Sequence, residues 1–93
     1  MTTIISVAQA CGGSADTSEQ GEFLGKNMLV ALATDADIVV SFKRISTVTT
    51  NFVAASFCVL LDDHELDEIK RRVSVIYSTR QINDMIKRMM GAR

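Results

Sequence analysis

Ile38-Val39-Val40-Ser41-Phe42, followed after a short connection by Val48-Thr49-Thr50-Asn51-Phe52, is the stretch on which the fold turns. The first segment is a run of β-branched and aromatic residues broken only by Ser41. A run of that length and composition predicts a strand. Its continuous apolar character suits a strand covered on both faces, as in a parallel sheet flanked by helices. Thr49, Thr50 and Asn51 are helix-capping types, because their short polar side chains accept the unpaired N–H groups of a first turn. Phe52 to Leu61 then carries little polar character and predicts a central buried helix.

Upstream, Ile4, Ile5 and Val7 mark a first strand over Thr2 to Val7, and Cys11-Gly12-Gly13-Ser14 reads as a loop. Thr17-Ser18-Glu19-Gln20 matches a capping box, in which the Thr hydroxyl and the Gln side chain satisfy each other's backbone N–H. Leu24, Met28, Ala31 and Leu32 share one face of a helix expected over Ser18 to Ala33. Gly21 and Gly25 weaken that helix. Lying four apart, they also allow it to approach a neighbour closely.

Downstream, Asp62 to Arg72 is highly charged, with Leu66 and Ile69 able to anchor a helical turn. Val73-Ser74-Val75-Ile76-Tyr77 predicts a third strand. Ser78 and Gln81 resemble a second capping box. Ile82, Met85, Ile86 and Met89 make the stripe of an amphipathic helix. Lys87, Arg88 and Arg93 lie near its C-terminus, where cations favour the helix dipole. The expected order is β-α-β-α-β-α, an α/β fold with a small, mostly parallel sheet, flanking helices and right-handed crossovers. The first strand is also compatible with antiparallel pairing at an edge. With 93 residues, a single domain over 1–93 is expected.

Ten basic residues nearly balance eleven acidic ones, for a formal charge of −1. That balance argues against a nucleic-acid binder, which relies on a basic excess for phosphate contacts. No run approaches the roughly 18–20 apolar residues of a membrane span. Met1 to Ala10 lacks the early Lys or Arg of a secretory signal, so a cytoplasmic location is expected. Cys11 and Cys58 form no C-x-x-C pattern and are expected as reduced thiols, Cys58 as a small buried hydrophobe.

The search for chemistry finds little. His64 is the only histidine and lies in Asp62-Asp63-His64-Glu65, whose spacing matches no metal pattern; a solvated acidic loop is expected. Cys11 beside Gly12-Gly13 suggests a nucleophile on a turn, but no base is tied to it. The glycines match neither phosphate-binding fingerprint. Met85, Met89 and Met90 are expected to pack in the core. The run Ile45 to Phe52 holds five hydroxyl or amide side chains, more than a single cap requires, at a helix start where added phosphate would favour the dipole.

The pattern resembles a STAS-type domain, named for sulphate transporters and anti-sigma factor antagonists. The resemblance covers roughly Gly25 to Met90. It is carried by the Ile38–Phe42 run, the Val48-Thr49-Thr50-Asn51-Phe52 turn and the apolar helix behind it. It is similar above all to the short bacterial and phage STAS-like family, with its strand, hydroxyl-rich turn and helix-opening Phe. The resemblance implies no cofactor and no active site, and the residue spacing no metal. In the antagonists a Ser at this turn is phosphorylated by a partner kinase, and the matching position is Thr50, with Thr49 beside it. Thr49-Thr50-Asn51-Phe52 stands where the antagonists have Asp-Ser-Ser-Gly, and Ala54 and Ala55 replace the acidic residues frequent after the Phe.

The expectation is therefore a non-catalytic regulatory module that binds another protein, with a histidine-kinase-like ATPase as the partner implied. Thr49, Thr50, Asn51, Asp62, Asp63 and Glu65 are the candidate partner-binding residues, and Thr50 the candidate phosphorylation site. The alternative is a small phage-encoded inhibitor of a host defence complex, of the anti-CRISPR type. It would act by occlusion or by acidic mimicry of nucleic acid through Asp62 to Glu68. A third reading is a hydrolase or redox enzyme using Cys11. A homodimer through an edge strand or the Met-rich helix is compatible with each.

Overall fold

Three short apolar runs form three parallel strands in the order β1 (Thr2–Ser6), β2 (Asp37–Ser41) and β3 (Val73–Ile76). They come from a computed structural model that describes residues 1–91; Arg93, expected at the dipole end of the last helix, lies outside those residues. The register sets Ile5, Val40 and Val75 side by side, and Ile4 beside Val39. The first strand is thus a parallel edge strand. Between the strands lie α1 (Val7–Ala10), α2 (Ser18–Leu32), α3 (Thr50–Ser56), a 3-10 turn (Cys58–Asp62) and α4 (Leu66–Arg72), and α5 (Arg80–Gly91) closes the described chain.

A right-handed crossover repeated in the same direction across a sheet places the intervening helices on one face. Burial follows that rule. Ile38 and Val40 are wholly buried on the helix side, whereas Ile4 is 70% exposed and Ile76 is 39% exposed on the other. The expectation that β2 is covered on both faces is therefore corrected. On the open face Val39, half-buried, lies between Ile4 and Ser74, with Ile76 opposite Ser41 further along, rather than under a second helix layer.

The core lies between this sheet and the helices, with Phe42, Phe52, Phe57, Leu24 and Met28 among its largest buried side chains. Phe42 and Phe57 stack with ring centroids 6.4 Å apart. Met90 is buried, and Met85 and Met89 pack against the core, as their spacing predicted. Met90 also lines an apolar cleft of about 470 Å³ with Leu66, Ile69 and Ile86.

The expected helix over Phe52 to Leu61 is divided. The α-helix ends at Ser56, whose hydroxyl donates to the Phe52 carbonyl at 2.7 Å. The chain continues as a tighter 3-10 turn, in which the Leu60 N–H bonds the Phe57 carbonyl. Three residues per turn bring Phe57 and Leu60 onto one side, and both are buried.

Gly21 and Gly25 set how closely α2 lies on α3. A Cβ at Gly21 would meet the Phe52 carbonyl oxygen at 2.5 Å, and one at Gly25 the Ala55 carbonyl oxygen at 2.8 Å. No side chain fits there, so the cost of glycine in a helix is offset by contact of the two backbones.

Candidate protein-binding surface

The hydroxyl-rich run ahead of α3 divides into residues that hold the turn and residues that project from it. Thr49 holds it. Its Oγ1 accepts the Phe52 N–H at 3.2 Å as the N-cap and donates to the Asp16 carbonyl at 2.6 Å. Its own N–H reaches the Ala15 carbonyl. Asp16 and Thr17 are fixed in turn by the Gln20 side chain through the predicted capping box of α2.

The other end of the connection is clasped by α5. Gln81 pairs with Val48 as a neighbouring strand would, its Oε1 accepting the Val48 N–H at 3.0 Å and its Nε2 donating to the Val48 carbonyl at 3.1 Å. Thr79 Oγ1 donates to the Ser46 carbonyl at 2.9 Å and accepts the Ile82 N–H. These contacts correct the expected second capping box. Thr79 takes the capping role, Ser78 turns to Asn83, and Gln81 serves the tertiary structure. The Ser/Thr pair at 78–79 offers two capping candidates one residue apart, and the sequence alone does not separate them.

Thr50 and Asn51 are exposed on the first turn of α3 and make no side-chain hydrogen bond among the described residues. Of two adjacent threonines, one hydroxyl is engaged and the other is accessible.

The acidic candidates lie elsewhere. Asp62 ends the 3-10 turn, Asp63 is exposed, and Glu65 precedes α4 without a side-chain capping bond. The helical segment between Asn51 and Asp62 separates the two groups by roughly 15–20 Å at ordinary helical rise. The acidic candidates thus follow the far end of the helical segment that the turn opens. Within the acidic run, His64 Nδ1 lies 3.0 Å from Glu68 Oε1, and Glu68 Oε2 lies 3.5 Å from Arg72. The hydrogen bond from His64 holds the Glu68 carboxyl below its ordinary range, partly opposed by desolvation. Arg72 donates to the Leu32, Thr34 and Ala36 carbonyls, closing the C-terminal end of α2. This part of the charged run is structural. Among the described residues no three His, Cys, Asp or Glu side chains converge as a metal site would require.

Cys11 is buried, its thiol points to the Gln20 carbonyl, and burial pushes its pKa up. A thiol so placed is a poor nucleophile. Cys58 is buried too, and no disulfide joins it to Cys11.

A family model described as a STAS-like domain of unknown function matches residues 20–82. The chain belongs to that family. The STAS-like match runs from the start of α2 to the start of α5 and so contains the whole Thr49–Asn51 turn, leaving β1 outside it. No curated protein and no solved structure matches the chain. No helix among the described residues is long and apolar enough to cross a membrane.

Two residues near the turn escaped the sequence reading. Phe42 to Ile45 forms a turn closed by the Ile45 N–H on the Phe42 carbonyl, and its third residue, Arg44, has φ +74°. A turn with positive φ at that position only is type II, and its third residue is ordinarily Gly. Tyr77, directly after β3, has φ +56°. Each such residue costs about 1–2 kcal/mol. No sequence pattern marks an Arg or Tyr as left-handed.

Proposed function

We propose that this STAS-like domain is a non-catalytic regulatory module that binds another protein through the turn at the start of α3. The observation that carries the reading is the division of labour within the turn. Thr49 is consumed by the frame, while Thr50 and Asn51 project from it with unengaged polar groups. A rigid backbone bearing free donors and acceptors suits recognition, because little side-chain and loop ordering remains to oppose binding. A histidine-kinase-like ATPase is the partner we favour, with Thr50 as the hydroxyl such a kinase could reach.

The test is affinity purification of the partner, then calorimetric titration of the wild type, Thr50→Glu and Asn51→Ala. Loss of affinity by about tenfold or more in Thr50→Glu is expected, the scale of a charge placed in a protein interface. Equal affinity in all three would remove the turn from the interface.

A further inference from the structure

We infer that the carboxyl ends of β2 and β3 form a second recognition surface that takes an acidic peptide segment of a partner protein. Lys43, Arg44 and Tyr77 leave adjacent strands together, exposed, two of them in backbone conformations that glycine would adopt more easily. The Phe42 N–H donates to the Ile76 carbonyl at 3.0 Å, so the two strands release their next residues side by side. Lys43 Nζ then lies 5.6 Å from the centre of the Tyr77 ring. A cation over an aromatic face at that distance is attracted to it, which orders a lysine that would otherwise move freely.

This chain places glycine at the positive-φ positions Gly12 and Gly13, where nothing would meet a side chain. At Arg44 and Tyr77 it carries large side chains instead, and both are exposed, Tyr77 by 66%. Neither side chain enters the core, so little packing offsets the strain. Strain kept without a packing return marks a side chain retained for contact with something else. Arg80, exposed at the start of α5, adds a third cation between Thr79 and Gln81, the two residues that clasp the β2–α3 connection. Lys43, Arg44 and Arg80 form no ion pair among the described residues. Asp16 lies across the small polar cup that Arg44 lines, and Asp84 lies one turn after Arg80; neither pairs with these cations.

Three unpaired cations suit a few carboxylates. A nucleic acid demands a longer basic track, and here the net charge is −1 and the Tyr77 ring already carries Lys43. The inference rests on the protein-binding reading and names the chemistry of the partner.

The test is an NMR titration of the ¹⁵N-labelled full chain at low ionic strength. The probes are a decapeptide of alternating Glu and Ser, its Gln counterpart, and an oligothymidylate of equal length. Amide shifts confined to residues 42–47 and 76–81 are expected with the Glu peptide, with neither control reproducing them. Lys43→Ala and Arg44→Gly should each weaken binding about fivefold, the scale of one exposed charge pair. Arg44→Gly should at the same time raise Tm. No shifts in that region, undiminished binding by Arg44→Gly, a lowered Tm in that variant, or preference for the oligothymidylate would each overturn the proposal. Loss of the natural partner by Thr50→Glu but not by Arg44→Gly would remove this surface and leave the proposed function standing.

Discussion

Replacing Gly25 by Ala tests the contact that positions α3 and therefore the turn. In an isolated helix the change is favourable by about 1 kcal/mol, because Ala loses less conformational entropy than Gly. In this protein the new methyl group would lie 2.8 Å from the Ala55 carbonyl oxygen, 3.1 Å from the Ser56 carbonyl oxygen and 3.2 Å from Ser56 Cα. All three are backbone atoms, so no rotamer change gives relief and the two helices must separate. Overpacking of that kind costs about 1–3 kcal/mol, with the upper half expected against backbone. The net loss is then about 1–2 kcal/mol, or a fall in Tm of roughly 5–15 °C for a domain of this size. Gly21→Ala should cost more, since its methyl group would lie 2.5 Å from the Phe52 carbonyl oxygen. Both clashes are relieved by one outward movement of α3, so the double variant should lose less than the sum of the single losses. Gly91→Ala, with nothing within 4 Å of the added atom, should shift stability by less than about 0.5 kcal/mol. Thermal and urea unfolding followed by circular dichroism measure all four. A Tm for Gly25→Ala equal to or above the wild type would show that helix propensity governs this site and that the helices do not touch there.

Three further perturbations probe the frame. Arg72→Lys should destabilise by about 2 kcal/mol in urea unfolding, because an ammonium cannot match a planar fork shared among three carbonyls; a loss as small as a surface charge change would contradict that geometry. Glu68 has a depressed folded pKa, so its contribution is present above the ordinary value of 4.5 and lost as pH falls through the folded value. The Tm gap between wild type and Glu68→Gln should close on acidification, and a gap that widens would reverse the sign. Gln81→Ala should speed hydrogen exchange at the Val48 amide while leaving α2 protected, and an unchanged rate would mean that the clasp is dispensable.

The local structure around the turn was legible because its signals are local. Thr17 and Gln20 form the capping box that their spacing predicted, and Thr49 caps α3. The paired glycines indicated a close helix contact, and the Met stripe of α5 its packing. The family likeness rested on the same stretch. Where the sequence reading failed, long-range contacts were responsible. Ser78 and Thr79 are equivalent cap candidates until Ser46 selects Thr79, and Gln81 serves Val48, 33 residues earlier. Ile4, Val39 and Ile76, all on the open face, look like buried strand residues in sequence, because register and exposure are properties of three segments together.

Strand and helix content, the caps and the STAS-like family were thus determined by the sequence alone, since each depends on residues within a turn or two of one another. The tertiary structure decided the rest of what concerns the Ile38–Asn51 stretch. It left one sheet face open, because successive crossovers of one hand stack their helices on the other. It engaged Thr49 and freed Thr50. It also gave Arg44 the backbone angle of a glycine, which becomes visible only once the turn is closed.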